Sequence, residues 1–428
     1  MRILEFNDDE AAVRTLLRRR HTLDPAVIGR AQEILTAVER DGDAAVLQYT
    51  RTYDCPDIEK IGMRVTDAEV RAAYKAVPAE LLRALRKART NVARYHKRQM
   101  PKSWSMNDAG LRLEQRFKPL RRVGIYVPGG KAAYPSTVIM NAVPASIAGV
   151  NEIVMVTPAG KDGSLSPAVL VAAAECGVTE IYRIGGAQAV AALAFGTATI
   201  RAVDKITGPG NAYVAAAKKL VYGTVGIDMI AGPTEVVVIA DETADPSFVA
   251  ADLIAQAEHD QDATALCLVT SRHLAGRIGA EVMTQLESAA RSLIARTSLE
   301  QNGRIIVVPS VKVAVELANT IAPEHLEIVT RNARKVSRDI RHAGAIFVGR
   351  WATEALGDYV AGPNHTLPTS GTARFSSALN VMDFLTFSNV IECSKEHFMK
   401  LAPYGETLAL AEGLAGHAAS MAIRRKQR

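Results

Sequence analysis

The fold is decided by the run Val123-Gly124-Ile125-Tyr126-Val127, which ends at Pro128-Gly129-Gly130. A short apolar run of branched and aromatic residues, bounded by Pro and Gly, is typical of a buried β-strand. Beyond it, helical and strand-like stretches alternate: a helix over about 137–148, a strand at 153–156, a helix near 166–176, a strand at 181–184 and a helix from 187. This alternation predicts βαβ units and a parallel sheet.

A second series of the same kind follows Ala231-Gly232-Pro233. Its predicted strands are 236–239, 265–269, 305–308, 326–329 and 345–348, with helices at about 246–258 and 274–295. We therefore expect an α/β protein with two parallel-sheet domains. Ligand loops should follow the strands at Pro128-Gly129-Gly130, Gly185-Gly186 and 207–211. Because no G-x-G-x-x-G follows any of these strands, the pattern alone does not establish a conventional dinucleotide fold.

The two ends of the chain differ from this central pattern. The first hundred residues are predicted to be helical, and we expect them to complete the domain of the second series. After about Leu379 the chain is predicted to be short, helical and detached. Such an arm buries little core of its own, so we expect it to pack on something else.

Composition limits the classes of function. The chain has 428 residues, a formal net charge of +6 and 48% hydrophobic residues, which is ample for folded cores. Its basic residues are dispersed, apart from Arg18-Arg19-Arg20 and the tail 424–428, which argues against nucleic-acid binding. The sequence predicts neither a signal peptide nor a membrane span. The four cysteines lie far apart without a CxxC pair, so we expect a cytoplasmic protein without a thiolate zinc site.

Gln256 and His259 stand at the end of a predicted helix. Side chains three residues apart share a helix face, so the two can converge on one point. Zinc accepts imidazole readily and tolerates an amide oxygen. A purely structural role for the pair is the alternative.

Two further segments carry polar residues in positions that suit a site. The loop 357–365 holds Asp358 and His365 among Gly and Pro, which suits ligand contact, although a solvated turn is the alternative. In Pro323-Glu324-His325, proline can open a helical turn that sets an acid beside an imidazole, where the two can divide proton transfers. Ordinary helix capping by Glu324 is the alternative there. A lone histidine such as His417 is usually a surface residue.

From about residue 30 to its end, the chain resembles the histidinol dehydrogenase family. The resemblance rests on many ordered stretches rather than on one motif: 123–136, 185–192, 208–214, 227–235, 256–259, 322–326 and 362–369. Thr234 stands where the family often has serine, and both supply a hydroxyl.

The resemblance implies a role for each matching residue. The metal ligands would be Gln256, His259, Asp358 and His417, holding one Zn²⁺ per subunit. The catalytic pair would be Glu324 and His325, and NAD⁺ would contact Tyr126, Gln188 and Asn211. The substrate site would be formed by Thr234, Gln256, His259, His325, Asp358, His365, Glu412 and His417.

The family's architecture is two incomplete Rossmann-like domains with small terminal segments, in an intertwined homodimer that shares its active sites. It implies an N-terminal segment 1–25, a first α/β domain of 26–128 and 235–378 with the metal and catalytic residues, a second α/β domain of 129–234 on the NAD⁺ side, and a C-terminal arm 379–428. The residues Glu412 and His417 would enter the partner's site.

The activity implied is oxidation of L-histidinol to L-histidine through bound L-histidinaldehyde, the last step of histidine biosynthesis. The alternative is a related zinc- and NAD⁺-dependent dehydrogenase of another small primary alcohol, such as a sulfonated diol. A zinc hydrolase using Glu324 as its base is disfavoured, because H-E-x-x-H is missing.

Overall fold

The computed structural model describes residues 1–7, 13–14, 23–129 and 133–426, which fall into two compact units. The first unit contains Met1–Gln99 and Leu120–Phe384, and the second contains Met100–Pro119 and Leu385–Arg428. The basic cluster 18–20, Gly130 of the first glycine loop and most of the segment 1–25 lie outside the described residues, as do the last two residues of the basic tail.

The strands, in chain order, are β1 (Arg2–Glu5), β2 (Trp104–Asp108), β3 (Leu111–Pro119), β4 (Arg122–Tyr126), β5 (Glu152–Val156), β6 (Glu180–Tyr182), β7 (Lys205–Thr207), β8 (Gly226–Ile227), β9 (Glu235–Ala240), β10 (Thr264–Val269), β11 (Arg304–Val307), β12 (His325–Val329), β13 (Ala345–Val348) and β14 (Leu385–Cys393).

The α-helices are α1 (Pro25–Asp41), α2 (Asp43–Tyr53), α3 (Ile58–Ile61), α4 (Asp67–Ala76), α5 (Ala79–His96), α6 (Pro135–Ala148), α7 (Pro167–Glu175), α8 (Gly186–Phe195), α9 (Ala212–Val221), α10 (Pro246–Ala257), α11 (Arg272–Ser288), α12 (Ser292–Gln301), α13 (Val311–Ile321), α14 (Ala333–Val336), α15 (Glu354–Leu356), α16 (Lys395–Ala411) and α17 (Ala415–Lys426).

The larger sheet of the first unit is parallel, with strand order β1-β11-β10-β9-β12-β13. Alternate residues of β9 point to opposite faces, as the strand geometry requires. Val236 and Val238 pack in the core under α10 and α11, whereas Val237 and Ile239 pack in the core under α13. Helices therefore cover both faces, which explains why the central strands β9, β10 and β12 are mostly apolar and buried along their whole length.

The smaller sheet of the first unit is also parallel, with strand order β6-β5-β4-β7-β8. The predicted α/β class with two parallel sheets is thus confirmed. The N-terminal helices, however, pack on this sheet: Ala31, Ile34 and Val38 of α1 share a core with Val154 and Val156 of β5. The expectation that residues 26–128 belong with the larger sheet was wrong, because α1 buries its apolar face here and β4 is itself a strand of the smaller sheet.

One local prediction was also wrong, and one strand was missed. Pro323 does not open a helical turn: Ala322 ends α13 with a left-handed backbone (φ +50°), and His325 is the first residue of β12. The strand β7 was not predicted, although the loop after it was.

The second unit contains a three-stranded antiparallel sheet of order β14-β3-β2 and the helices α16 and α17. The expectation of a purely helical arm was therefore wrong. Strand β14 pairs with β3 over its whole length, so residues from the middle of the chain supply the sheet that the arm needs.

No helix in the described ranges is long and apolar enough to cross a membrane.

Candidate active site

A cavity of about 790 Å³ lies at the carboxyl ends of β4, β6 and β7 in the first unit. Its volume is within the range of small-molecule and cofactor sites. Residues on its wall include Arg30, Tyr53, Asp54, Tyr126, Gly129, Lys161, Gln188 and Asn211. The three residues that the resemblance assigns to NAD⁺ are among them, so the fold brings them together.

Each of these three side chains is held by a contact with a neighbouring loop or helix. The Tyr126 hydroxyl accepts the Gly186 N–H at 3.0 Å, and burial raises the pKa of Tyr126. The Gln188 amide nitrogen lies 3.4 Å from an Asp54 carboxylate oxygen. The side-chain oxygen Oδ1 of Asn211 accepts hydrogen bonds from two backbone N–H groups in the first turn of α9, at 3.0 and 3.1 Å. The side-chain nitrogen Nδ2 of Asn211 therefore stays available at the cavity.

A second cavity, of about 450 Å³, adjoins the first and shares Pro128, Gly129 and Asn211 with it. Its lining includes the predicted site residues Thr234, His259, Glu324, His325, Asp358 and His365. Thr234 directly precedes β9 and Glu324 directly precedes β12, so this cavity lies at the amino ends of the larger sheet's strands. Open parallel sheets normally bind ligands at the opposite, carboxyl edge.

Glu324 is buried and well supplied with hydrogen-bond donors. Its carboxylate accepts the Thr234 hydroxyl at 2.6 Å and the Glu235 N–H at 3.0 Å. Burial nevertheless raises the pKa of Glu324, against the opposing effects of His325 and of these donors. A carboxyl whose pKa is raised toward neutrality is suited to proton transfer.

His325 lies at the centre of the cluster. Its Nδ1 is 3.2 Å from the Glu235 carbonyl oxygen, and its Nε2 is 3.6 Å from Asp358 Oδ1, just beyond hydrogen-bond range. Burial alone lowers the pKa of His325, but the carboxylates of Glu354, Glu324 and Asp358 together raise it well above the ordinary value. The Nε2 atoms of His325 and His365 are buried without a hydrogen-bond partner in the described residues. Buried ring nitrogens without a partner are typical of a site that binds a ligand.

Glu354, in the short helix α15, was not predicted as a site residue. One end of the Gln256 amide group lies 2.8 and 3.0 Å from the two carboxylate oxygens of Glu354, and the other end lies 2.8 Å from the Thr234 hydroxyl oxygen. Burial, the largest influence, raises the pKa of Glu354 to about 8. An acid in the first turn of a helix is ordinary capping, so its sequence context carried no signal.

The side chains of His325, Glu354 and Asp358 could hold a metal ion, since one ligand atom from each lies within 4.8 Å of the others. Asp358 stands in a π-helical turn, Gly357–Ala361, of a type often found at functional sites. Burial lowers the pKa of both His259 and His365, which keeps these imidazoles neutral, as metal ligands must be. Gln256 is fully buried.

The remaining two predicted residues belong to the second unit. Glu412 follows the last residue of α16, and His417 is in the first turn of α17. Both side chains are exposed.

A two-sheet α/β fold with a cavity of cofactor size at its glycine loops and an adjoining acid–imidazole cluster is the arrangement of an enzyme that acts on small molecules. Residues 17–425 match the family described as histidinol dehydrogenase. The chain belongs to this family, and it is therefore an oxidoreductase of histidine biosynthesis.

Individual relatives agree with this assignment. The chain is 52% identical to the histidinol dehydrogenase of a Synechococcus strain over 95% of this chain and 94% of the relative, and 53% identical to that of Moorella thermoacetica over 93% and 94%. It is also similar to the crystal structure of histidinol dehydrogenase from Elizabethkingia anophelis, with a TM-score of 0.92, 35% identity, and coverage of 100% of this chain and 98% of that one.

Proposed function

We propose that the chain oxidises L-histidinol to L-histidine in two successive two-electron steps, with NAD⁺ as the oxidant and one zinc ion per subunit. The observation that carries this proposal is the convergence of Glu324, His325, Asp358, His259 and Thr234 on one cavity beside the larger cavity of Tyr126, Gln188 and Asn211. An acid–base pair and a cofactor pocket in direct continuity are what two hydride removals from one carbon require.

Zinc is proposed to be held by Gln256, His259 and Asp358, with His417 as a fourth ligand. The donor set fits the ion, since imidazole, carboxylate and amide oxygen are all ligands that zinc accepts. Bound zinc would orient the substrate and withdraw charge from its alcohol oxygen. The triad of His325, Glu354 and Asp358 shares only Asp358 with this set. We assign Glu354 to the support of Gln256, whose amide it contacts, and leave the His325 imidazole for proton transfer.

Tyr126, Gln188 and Asn211 are proposed to contact NAD⁺, which would take up one hydride in each step. The volume of the cavity and the free amide group of Asn211 support this assignment.

The proton transfers are proposed to be divided between two neighbouring side chains. The neutral His325 imidazole takes the alcohol proton in the first step through Nε2, because its Nδ1 faces the Glu235 carbonyl oxygen. It would be neutral when a bound cation offsets the carboxylates that raise its pKa in the metal-free chain. Glu324 then accepts a proton from the water that adds to the aldehyde, because burial has made its carboxylate more basic. Thr234 holds Glu324 in place through its 2.6 Å hydrogen bond.

The decisive experiment is to measure NADH formed per molecule of L-histidinol. The proposal requires two NADH and one L-histidine. Formation of one NADH with an aldehyde product would indicate a related alcohol dehydrogenase instead. Turnover of another primary alcohol but not of L-histidinol would indicate the same. NAD⁺-independent hydrolysis of an ester or amide would refute it.

The active form is proposed to be a homodimer in which Glu412 and His417 complete the partner's site. Exposed apolar side chains on the second unit, among them Ile391, Tyr404, Leu408 and Leu410, support a covering partner copy. Co-expression of His417→Ala and His259→Ala chains tests this. Random pairing makes half of the dimers mixed, and one site in each mixed dimer then carries neither change, so about a quarter of the wild-type activity should return. If each chain built its own site, every site would carry a defect and none would return.

A further inference from the structure

The strongest feature that the proposed mechanism leaves unused is a buried ion pair between Lys218 of α9 and Asp228, just after β8. Their side chains are 3% and 1% exposed, and the Lys218 ammonium contacts an Asp228 carboxylate oxygen directly. Burying two charges is costly unless further hydrogen bonds use them. The partners of this pair therefore show what it is for.

Both ends of the pair hold one residue, Gly208. The Lys218 ammonium donates to the Gly208 carbonyl oxygen at 2.9 Å, and the second Asp228 carboxylate oxygen accepts the Gly208 N–H at 2.7 Å. Gly208 has φ +108°, a conformation that side chains avoid. A Cβ atom there would collide with the Tyr126 carbonyl oxygen, so the backbone of the two residues is in close approach.

Gly208 is the first residue of the loop 208–211, which borders both cavities. The loop residues Gly208, Pro209 and Gly210 line the smaller cavity, and Asn211 at its end lines both. Tyr126, against which Gly208 is pressed, lines the larger cavity. A shift of Gly208 would thus move two of the three proposed NAD⁺ contacts relative to each other.

We propose that Lys218 and Asp228 are positioning residues, which clamp Gly208 so that Tyr126 and Asn211 are held in the geometry that binds NAD⁺. The inference rests on the proposed function for the identity of the cofactor. The pair itself does not touch the reacting atoms. Its effect reaches the cofactor through the Gly208 backbone, and a displacement of about 1 Å in such a segment is enough to weaken binding strongly.

The test uses the full chain and four variants. Lys218→Met removes the donor to the Gly208 carbonyl, and Lys219→Met, at the exposed neighbouring position of the same helix, is the matched control. Asp228→Asn keeps an acceptor for the Gly208 N–H while it removes the charge. The double variant Lys218→Met/Asp228→Asn removes both charges, which relieves the penalty of one unpaired buried ion but does not restore the donor.

Three quantities are measured: amide hydrogen exchange of Gly208 without cofactor, the Kd for NAD⁺ by calorimetry, and the KM for NAD⁺ against kcat. In Lys218→Met we expect faster Gly208 exchange and a rise of about tenfold in Kd and KM for NAD⁺, with a smaller change in kcat. Lys219→Met should match the wild type. The double variant should recover thermal stability but not NAD⁺ affinity.

Recovery of NAD⁺ affinity together with stability in the double variant would overturn the proposal, because the pair would then serve folding alone. Unchanged Gly208 exchange in Lys218→Met would overturn it as well. The proposed function fails separately: a wild-type chain that binds NAD⁺ yet does not oxidise L-histidinol would refute the substrate and leave the clamp standing. A wild-type chain that binds no NAD⁺ would refute both.

Discussion

Both parallel sheets carry charged side chains where their strands begin, but the two groups of charges are arranged in opposite ways. In the smaller sheet, the Arg122 guanidinium at the start of β4 lies 2.6 Å from Glu152 and 2.7 Å from Glu180, which begin β5 and β6. Each carboxylate faces a cation, and the pKa values of both are lowered. Both carboxylates are therefore neutralised by cations within the fold.

At the start of β12 in the larger sheet, by contrast, the carboxylates of Glu324, Glu354 and Asp358 surround one imidazole. Burial raises the pKa of Glu324 and Glu354. Among the described residues, no Lys or Arg side chain lines the smaller cavity apart from Lys218, which Asp228 already engages. The comparison separates charges that stabilise a fold from charges that require a ligand. Chemical function is expected only at the second.

Removal of the proposed zinc ion should give the largest effect, and it should affect only the charged cluster at β12. Chelation is expected to reduce L-histidinol oxidation to background, while far-ultraviolet circular dichroism stays close to native, because both sheets have apolar cores of their own. Added Zn²⁺ should restore activity. Full activity in a preparation shown by elemental analysis to be metal-free would contradict the proposed centre.

Glu324→Gln should give the next largest effect, because it keeps the size of the side chain but removes the base. We expect oxidation of L-histidinaldehyde to slow by about 10²–10⁴-fold, the usual contribution of a general base, with the first hydride transfer less affected. Single-turnover measurements of each half-reaction, with the exposed Glu316→Gln as control, test this. Equal slowing of both steps would show that Glu324 does not activate the water.

Arg122→Met tests the ion pairs of Arg122 with Glu152 and Glu180 in the smaller sheet. It leaves Glu152 and Glu180 without their buried cation, and we expect a loss of about 2–4 kcal/mol in the free energy of unfolding. Arg201→Met is the matched control, since Arg201 contacts the same two carboxylates but is 62% exposed, and its loss should stay below about 1 kcal/mol. Folded Arg122→Met should keep the wild-type kcat, and a large fall in kcat would show that the two groups are coupled. Chemical denaturation and steady-state kinetics supply the two values.

The contrast also explains what the sequence could predict. The strands β4, β5, β9, β10 and β12 are apolar runs with glycine or polar boundaries, so hydrophobic periodicity was enough to find them. The strand β7 holds a single apolar residue, Ile206, between two polar ones, so it shows no apolar run. The strand β14 is mostly exposed and is held by its pairing with β3, which is distant in the sequence.

The site was only partly predictable for a different reason. Family resemblance located Glu324, His325 and Asp358, whereas nothing local marked Glu354. Its position beside Gln256 depends on the pairing of β13 with β12 and of β12 with β9. These pairings join parts of the chain that are up to about a hundred residues apart in the sequence. No local pattern encodes such a convergence.

The smallest expected effect concerns the pH dependence of the free energy of unfolding, to which Glu180 and Glu354 should contribute with opposite signs. Hydrogen bonds from Arg122 hold the pKa of Glu180 at about 2, below the ordinary 4.5 of the unfolded chain. A lowered pKa means that the stabilisation is complete above about pH 4.5 and declines as the pH falls toward 2. The wild type should therefore lose about 1–2 kcal/mol more than Glu180→Gln between pH 5 and pH 3.

Glu354 should show the opposite slope in metal-free protein. Its pKa is raised to about 8 in the folded chain, so the folded state binds the proton more tightly than the unfolded state does. The stabilisation is then complete below about pH 4.5 and declines as the pH rises toward 8, and Glu354→Gln should flatten this decline. Unfolding by urea at several pH values, for the chelated wild type and both variants, measures the two slopes in one protein. Slopes of the same sign would mean that the cluster at β12 is neutralised within the fold, as the cluster at β4 is, and the argument that it requires a cation would fail.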